Sequence, residues 1–203
     1  MATSHFRHKI TENAASWGLP AESRNHGCDA AAQKQKRVFD AAVSGLALAA
    51  ATPLMAAIAA LIKLESRGPV FYKSRRWGKG GRVFECIKFR TLGSDGETTR
   101  VGRLLRRAAL DELPQLVNVL RGEMSLVGPR PVLAAEQADL SPGHLRRFDA
   151  LPGMTGLWQL EGLEREAGGY FSPDETYARN WSVGLDVEIL LRTVPVVVSG
   201  GFC

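Results

Sequence analysis

Between Ala41 and Ile62 the chain carries no charged residue, and Pro53 stands near the middle of that run. Wound as a helix, the run would be roughly 33 Å long at about 1.5 Å per residue, just enough to cross the hydrocarbon of a bilayer. That length leaves four fates: a transmembrane helix, a signal peptide, a helix that enters a membrane and turns back, or an Ala-rich core helix with a tolerated proline. The signal peptide fits worst, because the run begins about forty residues in, behind a polar stretch. Charge placement separates the others. Lys34, Lys36 and Arg37 precede the run, and Lys63, Arg67, Lys73, Arg75, Arg76, Lys79 and Arg82 follow it, so a straight span would strand one basic flank on the outer side. Pro53 removes a backbone donor and crowds the preceding turn, and the Thr52 hydroxyl can satisfy a freed carbonyl. The sequence favours a re-entrant hairpin broken at Thr52 and Pro53, with both flanks in the cytoplasm.

The rest of the chain has material for one globular core. With 203 residues, 45% of them hydrophobic, nothing calls for a second. The expected organisation is a mobile polar tail over 1–33, without helical or strand period, then the membrane helix over 34–64 and a cytoplasmic domain over 65–203. Lys and Arg outnumber Asp and Glu by 26 to 21, a formal charge of +5, which favours anionic partners: nucleotides, phospholipid headgroups or nucleic acid. Cys28, Cys86 and Cys203 are odd in number and widely spaced, which argues against a disulfide framework or a zinc site and for a reducing compartment. His5, His8, His26 and His144 are scattered and read as surface residues.

Beyond the apolar run, Gly68-Pro69-Val70 reads as a turn into a short strand, and Gly78 to Gly81 as a turn into a second strand reaching Arg90. Alternation puts Phe84, Cys86 and Lys88 on one face of that hairpin and Val83, Ile87 and Phe89 on the other, with Lys88 and Arg90 as exposed cations. Arg100 to Arg107 form a short amphipathic helix with cations on several sides. It leads into Leu110-Asp111-Glu112-Leu113-Pro114, where Leu113, Leu116, Val117 and Leu120 fall at helical spacing. Because proline is tolerated only in a first turn, this next helix is expected to begin at Asp111 as its N-cap. Asp111 alone in that place needs no function beyond capping. The pair Asp111-Glu112, however, interrupts a strongly basic stretch, and the free amides and positive dipole end there favour a phosphate. Arg106, Lys88 and Arg130 supply far more cation than capping requires. Met124 to Pro131 reads as a short apolar strand delivering Arg130 between Pro129 and Pro131, a restrained backbone suited to a guanidinium that meets phosphate in a fixed fork. Leu151 to Gln159 reads as a turn-rich aromatic loop, and Leu185 to Leu191 as a short amphipathic helix ahead of Pro195.

These segments carry a resemblance. Lys36-Arg37-Val38-Phe39-Asp40, Pro53-Leu54, Ile62-Lys63-Leu64, Gly68-Pro69-Val70, Lys88-Phe89-Arg90-Thr91, Leu110 to Leu116, Ser125 to Pro131, Pro152-Gly153-Met154-Thr155-Gly156, Asn180-Trp181-Ser182 and Leu185-Asp186 stand in one order to the C-terminal region. In these motifs the chain resembles the bacterial sugar transferase family, the polyprenyl-phosphate sugar phosphotransferases also called monotopic phosphoglycosyl transferases. The fold this implies is α+β and predominantly helical, a small catalytic domain on a re-entrant N-terminal membrane helix, facing the cytoplasm at the bacterial inner membrane. The implied reaction transfers a hexose 1-phosphate from a UDP-sugar to undecaprenyl phosphate, the first membrane step of exopolysaccharide or O-antigen-type glycan synthesis. The chain departs from the family pattern in three places. Thr52 stands where Ser is frequent, the loop from Gly93 to Thr99 is short, and Glu161-Gly162-Leu163-Glu164 follows Gln159 in place of a Gly-Arg pair. Larger relatives carry several transmembrane helices and a further N-terminal domain, and beside them this chain is expected to be the minimal catalytic form.

The chemistry expected is a covalent one. Asp111 is the expected nucleophile, attacking the sugar-linked phosphorus and expelling UMP. Glu112, with Asp111 beside it, is expected to hold Mg2+ against the diphosphate. Lys88, Arg90, Arg106 and Arg130 are expected to position the phosphates. The partners are then a UDP-sugar, undecaprenyl phosphate and the membrane, with no nucleic acid and with a homo-oligomer open. A second reading, a non-catalytic membrane-anchored basic module binding anionic lipid or nucleic acid, accounts for the charge and the anchor. It gives no reason for Asp111-Glu112 or for the framing of Arg130 by prolines.

Overall fold

The computed structural model describes residues 30–135, 147–160 and 171–198. The expected tail up to residue 29, together with Cys28, Cys203, His144 and Glu161 to Glu164, lies outside them. Helices predominate, and the strands form two small two-stranded sheets.

The first helix, α1, runs from Ala30–Glu65, 36 residues. It begins four residues before the expected boundary, and Pro53 lies inside it without ending it. Proline removes one helical bond, and a helix whose neighbours keep theirs bends rather than stops. The Thr52 hydroxyl donates to Leu48 O at 2.7 Å, one residue before Ala49, whose carbonyl is the one that proline deprives. Among the described residues α1 is the one helix long and apolar enough to cross a membrane, and only 11% of its most apolar stretch is buried. Its burial is mixed, for Ile58 and Ile62 are 4% and 3% exposed. Leu46 and Leu64 are 74% and 84% exposed, while Asp40 and Ser44 are 1% and 0% exposed. A core helix of a soluble domain is mostly buried along its apolar stretch, and this one is not.

Both ends of α1 are fastened to the rest of the chain. Near its start, Asp40 accepts from Ser125 Oγ at 2.7 Å and from Leu126 N at 3.2 Å. Lys36 pairs with Asp186 and donates to Val127 O at 3.1 Å, and Arg37 donates to the carbonyls of Val119 and Leu120. These two cations, read from sequence as membrane flank, are bound to protein. At the other end, the Glu65 carboxylate accepts from the amides of Arg100 and Val101 at 2.7 and 2.9 Å.

Strands β1 (Phe71–Trp77) and β2 (Val83–Phe89) pair antiparallel, Phe71 opposite Phe89 and Trp77 opposite Val83. The hairpin is as expected, though β1 is longer than the short strand foreseen. Gly80 and Gly81 make its turn with φ of 65° and 71°. Helix α2 (Arg100–Arg107) is capped by Thr99, whose side chain accepts from Gly102 N at 2.9 Å. A single turn of 3-10 helix follows at Leu110–Glu112, then α3 (Gln115–Arg121) with Pro114 as its N-cap. Asp111 is therefore not the N-cap of a helix, which corrects the sequence reading. Ala109 takes a left-handed conformation, φ 52°, and swings the chain out of α2 before proline allows the next helix to start.

Strand β3 (Ser125–Val127) pairs parallel with β4 (Gly153–Thr155), and α4 (Leu157–Leu160) follows. The segment read as an aromatic loop is thus a strand and a helical turn. Helices α5 (Phe171–Asn180) and α6 (Val183–Val198) complete the described chain, and α6 runs past the expected end with Pro195 inside it. One core gathers Cys86, Leu116, Val119, Met124, Leu157 and Ile189, with Phe39 and Val43 of α1 packed on it. A second gathers Ile58, Ile62, Phe89 and Leu105. Each such large side chain contributes roughly 1.5–3 kcal/mol on burial. The two cores hold β2, α2 and α3 around the turn that carries Asp111.

Candidate active site

The 3-10 turn at Leu110–Glu112 presents two adjacent carboxylates, both partly exposed. They differ in their surroundings. Glu112 pairs with Lys88, which reaches across from β2. Among the described residues no cation forms an ion pair with Asp111. Burial, and next the charge of Glu112, raise the Asp111 carboxyl above its ordinary range against the pull of Lys88 and Arg106. Arg106 is oriented by its Nε, which donates to Thr91 Oγ1 at 3.0 Å. The structure thus brings Asp111, Glu112, Lys88 and Arg106 into one field: a carboxylate left open, a second held by a lysine, and a guanidinium set from α2.

Arg90 is placed differently from its sequence reading as an exposed cation. Its guanidinium donates to Arg67 O at 2.6 Å and Ser66 O at 3.0 Å, closing the C-terminal end of α1. Gly68 makes room for that clamp, since a Cβ there would lie 2.7 Å from Arg90 Nη1 and its φ is 125°. Lys88, likewise read as exposed, is engaged by Glu112.

Arg130 stands on the loop that leaves β3, and the backbone of that loop is held throughout. Gly128 N donates to Thr155 O at 2.9 Å, Trp158 Nε1 donates to Gly128 O at 3.2 Å, and Gly153 N donates to Pro129 O at 2.9 Å. Arg130 N donates to both carboxylate oxygens of Asp174 at 3.1 and 3.2 Å, and Arg147 donates to Arg130 O at 2.6 Å. Arg76 donates to Pro131 O at 2.6 Å. The guanidinium lies over the Trp158 ring, 5.2 Å from its centroid. The frame expected from the flanking prolines is present, and hydrogen bonds add most of its rigidity.

Sequence reading passed over Asp174, Arg147 and Trp158. Asp174 stands beside Glu175 near a helix start, 44 positions from the amide it binds, and no local pattern reports such a pairing. It also passed over the linkage around Asp186, which accepts from Lys36, from Tyr177 Oη at 2.7 Å and from Trp181 Nε1 at 3.1 Å. There a signal existed, because Asn180-Trp181-Ser182 and Leu185-Asp186 were among the motifs noted.

Comparison with other proteins bears on this arrangement. The profile of a family described as bacterial sugar transferase matches residues 31–200. The chain is 41% identical over 190 residues to the UDP-glucose:undecaprenyl-phosphate glucose-1-phosphate transferase of Caulobacter vibrioides, a match covering 81% of this chain and 70% of that one. It is 38% identical over 193 residues to the exopolysaccharide production protein ExoY of Rhizobium meliloti, covering 80% and 84%. It is 36% identical over 194 residues to the undecaprenyl-phosphate galactose phosphotransferase of Salmonella typhimurium, covering 80% of this chain and 40% of that one.

Proposed function

This chain belongs to the bacterial sugar transferase family and is a sugar-phosphate transferase, and from that premise we propose that it transfers a hexose 1-phosphate from a UDP-sugar to undecaprenyl phosphate, through a covalent intermediate on Asp111. The observation that carries this reading is the unequal pair, Glu112 engaged by Lys88 while Asp111 stands without an ion-pair partner among the described residues. A nucleophile needs a free lone pair, and Asp111 has one. Two of the relatives' names supply the substrate class, since the Caulobacter and Salmonella proteins are named for undecaprenyl phosphate and the first also for UDP-glucose.

In the first step an Asp111 carboxylate oxygen attacks the sugar-linked phosphorus, and the bond from that phosphorus to the bridging oxygen breaks. UMP departs with that oxygen, leaving an aspartyl phosphohexose. In the second step an oxygen of undecaprenyl phosphate attacks the same phosphorus and the aspartyl bond breaks, restoring the Asp111 carboxylate and giving the lipid-linked diphosphohexose. Arg106 and Lys88 offset the negative charge that gathers as anionic donor meets carboxylate, and Arg130 presents a pre-set fork to the phosphates. Arg90 supports the site from behind, through the end of α1.

Mg2+ fits the residues present. That ion is held by one or two carboxylates together with substrate phosphates, and Asp111 and Glu112 are hard oxygen donors near enough for one to raise the proton affinity of the other. Glu112, with Asp111, would hold it, and when bound it would neutralise charge on the transferring phosphoryl group.

The position of α1 supports a re-entrant topology, and the basic residues around it favour the cytoplasmic face of the bacterial inner membrane as the shared side. Lys36 and Arg37 at its start and Glu65 at its end are fastened to the same domain, so a helix with its flanks on opposite sides of a bilayer could not keep both sets of bonds. The non-catalytic alternative falls with the family. Release of UMP from a panel of UDP-sugars, with undecaprenyl phosphate and Mg2+, tests the reaction; no turnover of any UDP-sugar would refute it.

A further inference from the structure

Arg130 has a backbone that is anchored on both sides by one buried ion pair. Its N–H meets both oxygens of Asp174, and its carbonyl meets Arg147, which also donates to Asp174 at 2.6 Å. Asp174 and Arg147 are 1% and 4% exposed. An ion pair buried to that depth gives little net stability, since desolvating two charges offsets most of their attraction. What such a pair does supply is geometry. Pro131 already restricts ψ of Arg130, and φ follows from the plane of the preceding peptide. That plane is fixed on one side by Gly153 N on Pro129 O and on the other by Asp174 on Arg130 N. The following peptide is held at Arg130 O by Arg147, and the one after it at Pro131 O by Arg76. With both peptide planes set, the Cα–Cβ direction of Arg130 is set, and the guanidinium leaves it along the Trp158 ring.

We propose that Asp174 and Arg147 are positioning residues of the transferase reaction, aiming the Arg130 guanidinium at the substrate phosphates by clamping its backbone. The inference rests on the proposed role of Arg130 in holding phosphate. It adds a pH dependence. Burial pushes the Asp174 carboxyl up to about 7, against the opposing pull of Arg147 and Arg130. Below that pH Asp174 gains a proton, its charge-assisted bonds weaken, and Arg130 loosens; above it the clamp is complete.

The test uses the full chain in detergent with Asp174→Asn, which keeps the size and one acceptor oxygen. Hydrogen exchange of the Arg130 amide should quicken roughly tenfold at pH 8, with the Gly128 amide of the same loop unchanged, because Gly128 bonds to Thr155. This arm needs no substrate, so it stands whatever becomes of the UDP-sugar reading. In the wild type, lowering the pH from 8 to 6 should quicken Arg130 relative to Gly128 in the same direction. In turnover, Asp174→Asn should lower kcat/KM roughly tenfold at pH 8, but less than about twofold when introduced into Arg130→Lys, where there is no fork left to aim. A loss of equal size in both backgrounds would show general damage and overturn the proposal, as would an Arg130 amide that exchanges at the wild-type rate.

Discussion

Asp111 and Glu112 are adjacent, yet one is held by Lys88 and the other is open, and this decides which should react. Asp111→Asn keeps the size of the side chain and removes the nucleophilic oxygen, so it should abolish both intermediate and product while thermal unfolding stays close to wild type. Glu112→Gln should retain a trace of intermediate and show a weakened Mg2+ dependence, read by titrating the metal in the UMP-release assay. Just before them, Ala109 holds φ of 52°, the one non-glycine residue with positive φ among those described. Such a conformation costs a side-chain-bearing residue about 1 kcal/mol. Ala109→Gly should therefore raise the midpoint of thermal unfolding by a few degrees, and Ala109→Val should lower it. At this scale the acidic pair, Arg106 and Arg130 were legible, because charge standing out against its neighbourhood is visible in sequence. The left-handed Ala109 was not, since alanine carries no turn signal, and the expected N-cap at Asp111 failed for that reason. Lys88 and Arg90 read alike as the end of a strand, but one meets Glu112 and the other the end of α1, a difference set by tertiary contacts.

Helix α1 ties distant elements together, bonding to α3, to β3 and to α6. Lys36 is mostly buried and Asp186 almost wholly so, and removing one partner of such a pair leaves the other charge desolvated. Lys36→Met should cost about 3 kcal/mol, as measured by chemical unfolding in detergent. Gly68→Ala should displace the Arg90 guanidinium from the carbonyls of Ser66 and Arg67, since no Cβ fits there. The length and apolar character of α1 were readable from one uncharged run. Its docking was not, because Lys36 and Arg37 look like membrane flank and find their partners some eighty or more residues away. The parallel pairing of β3 with β4 was hidden likewise, each strand being three residues long and too short to show a period.

For the whole molecule, the proposal is an enzyme whose anchor and catalytic turn are one unit on one side of a membrane. Cysteines placed at Gln35 and at Arg67, both exposed positions, should stay unlabelled by an impermeant reagent applied to intact cells. Labelling of Gln35→Cys alone would mean a true span. The family and the general order of the fold were legible from motifs spread along the chain, whereas the pairing of Asp111 with an open environment and Glu112 with a lysine had to come from the fold. The most direct test of the account is the covalent step itself. Wild-type protein incubated with a UDP-sugar and Mg2+ in the absence of lipid acceptor, quenched rapidly and measured by intact mass, should gain one hexose phosphate that maps to Asp111 and disappears when undecaprenyl phosphate is added. An unmodified mass, with kinetics requiring both substrates to bind before UMP leaves, would contradict it and assign the reaction to direct transfer in a ternary complex.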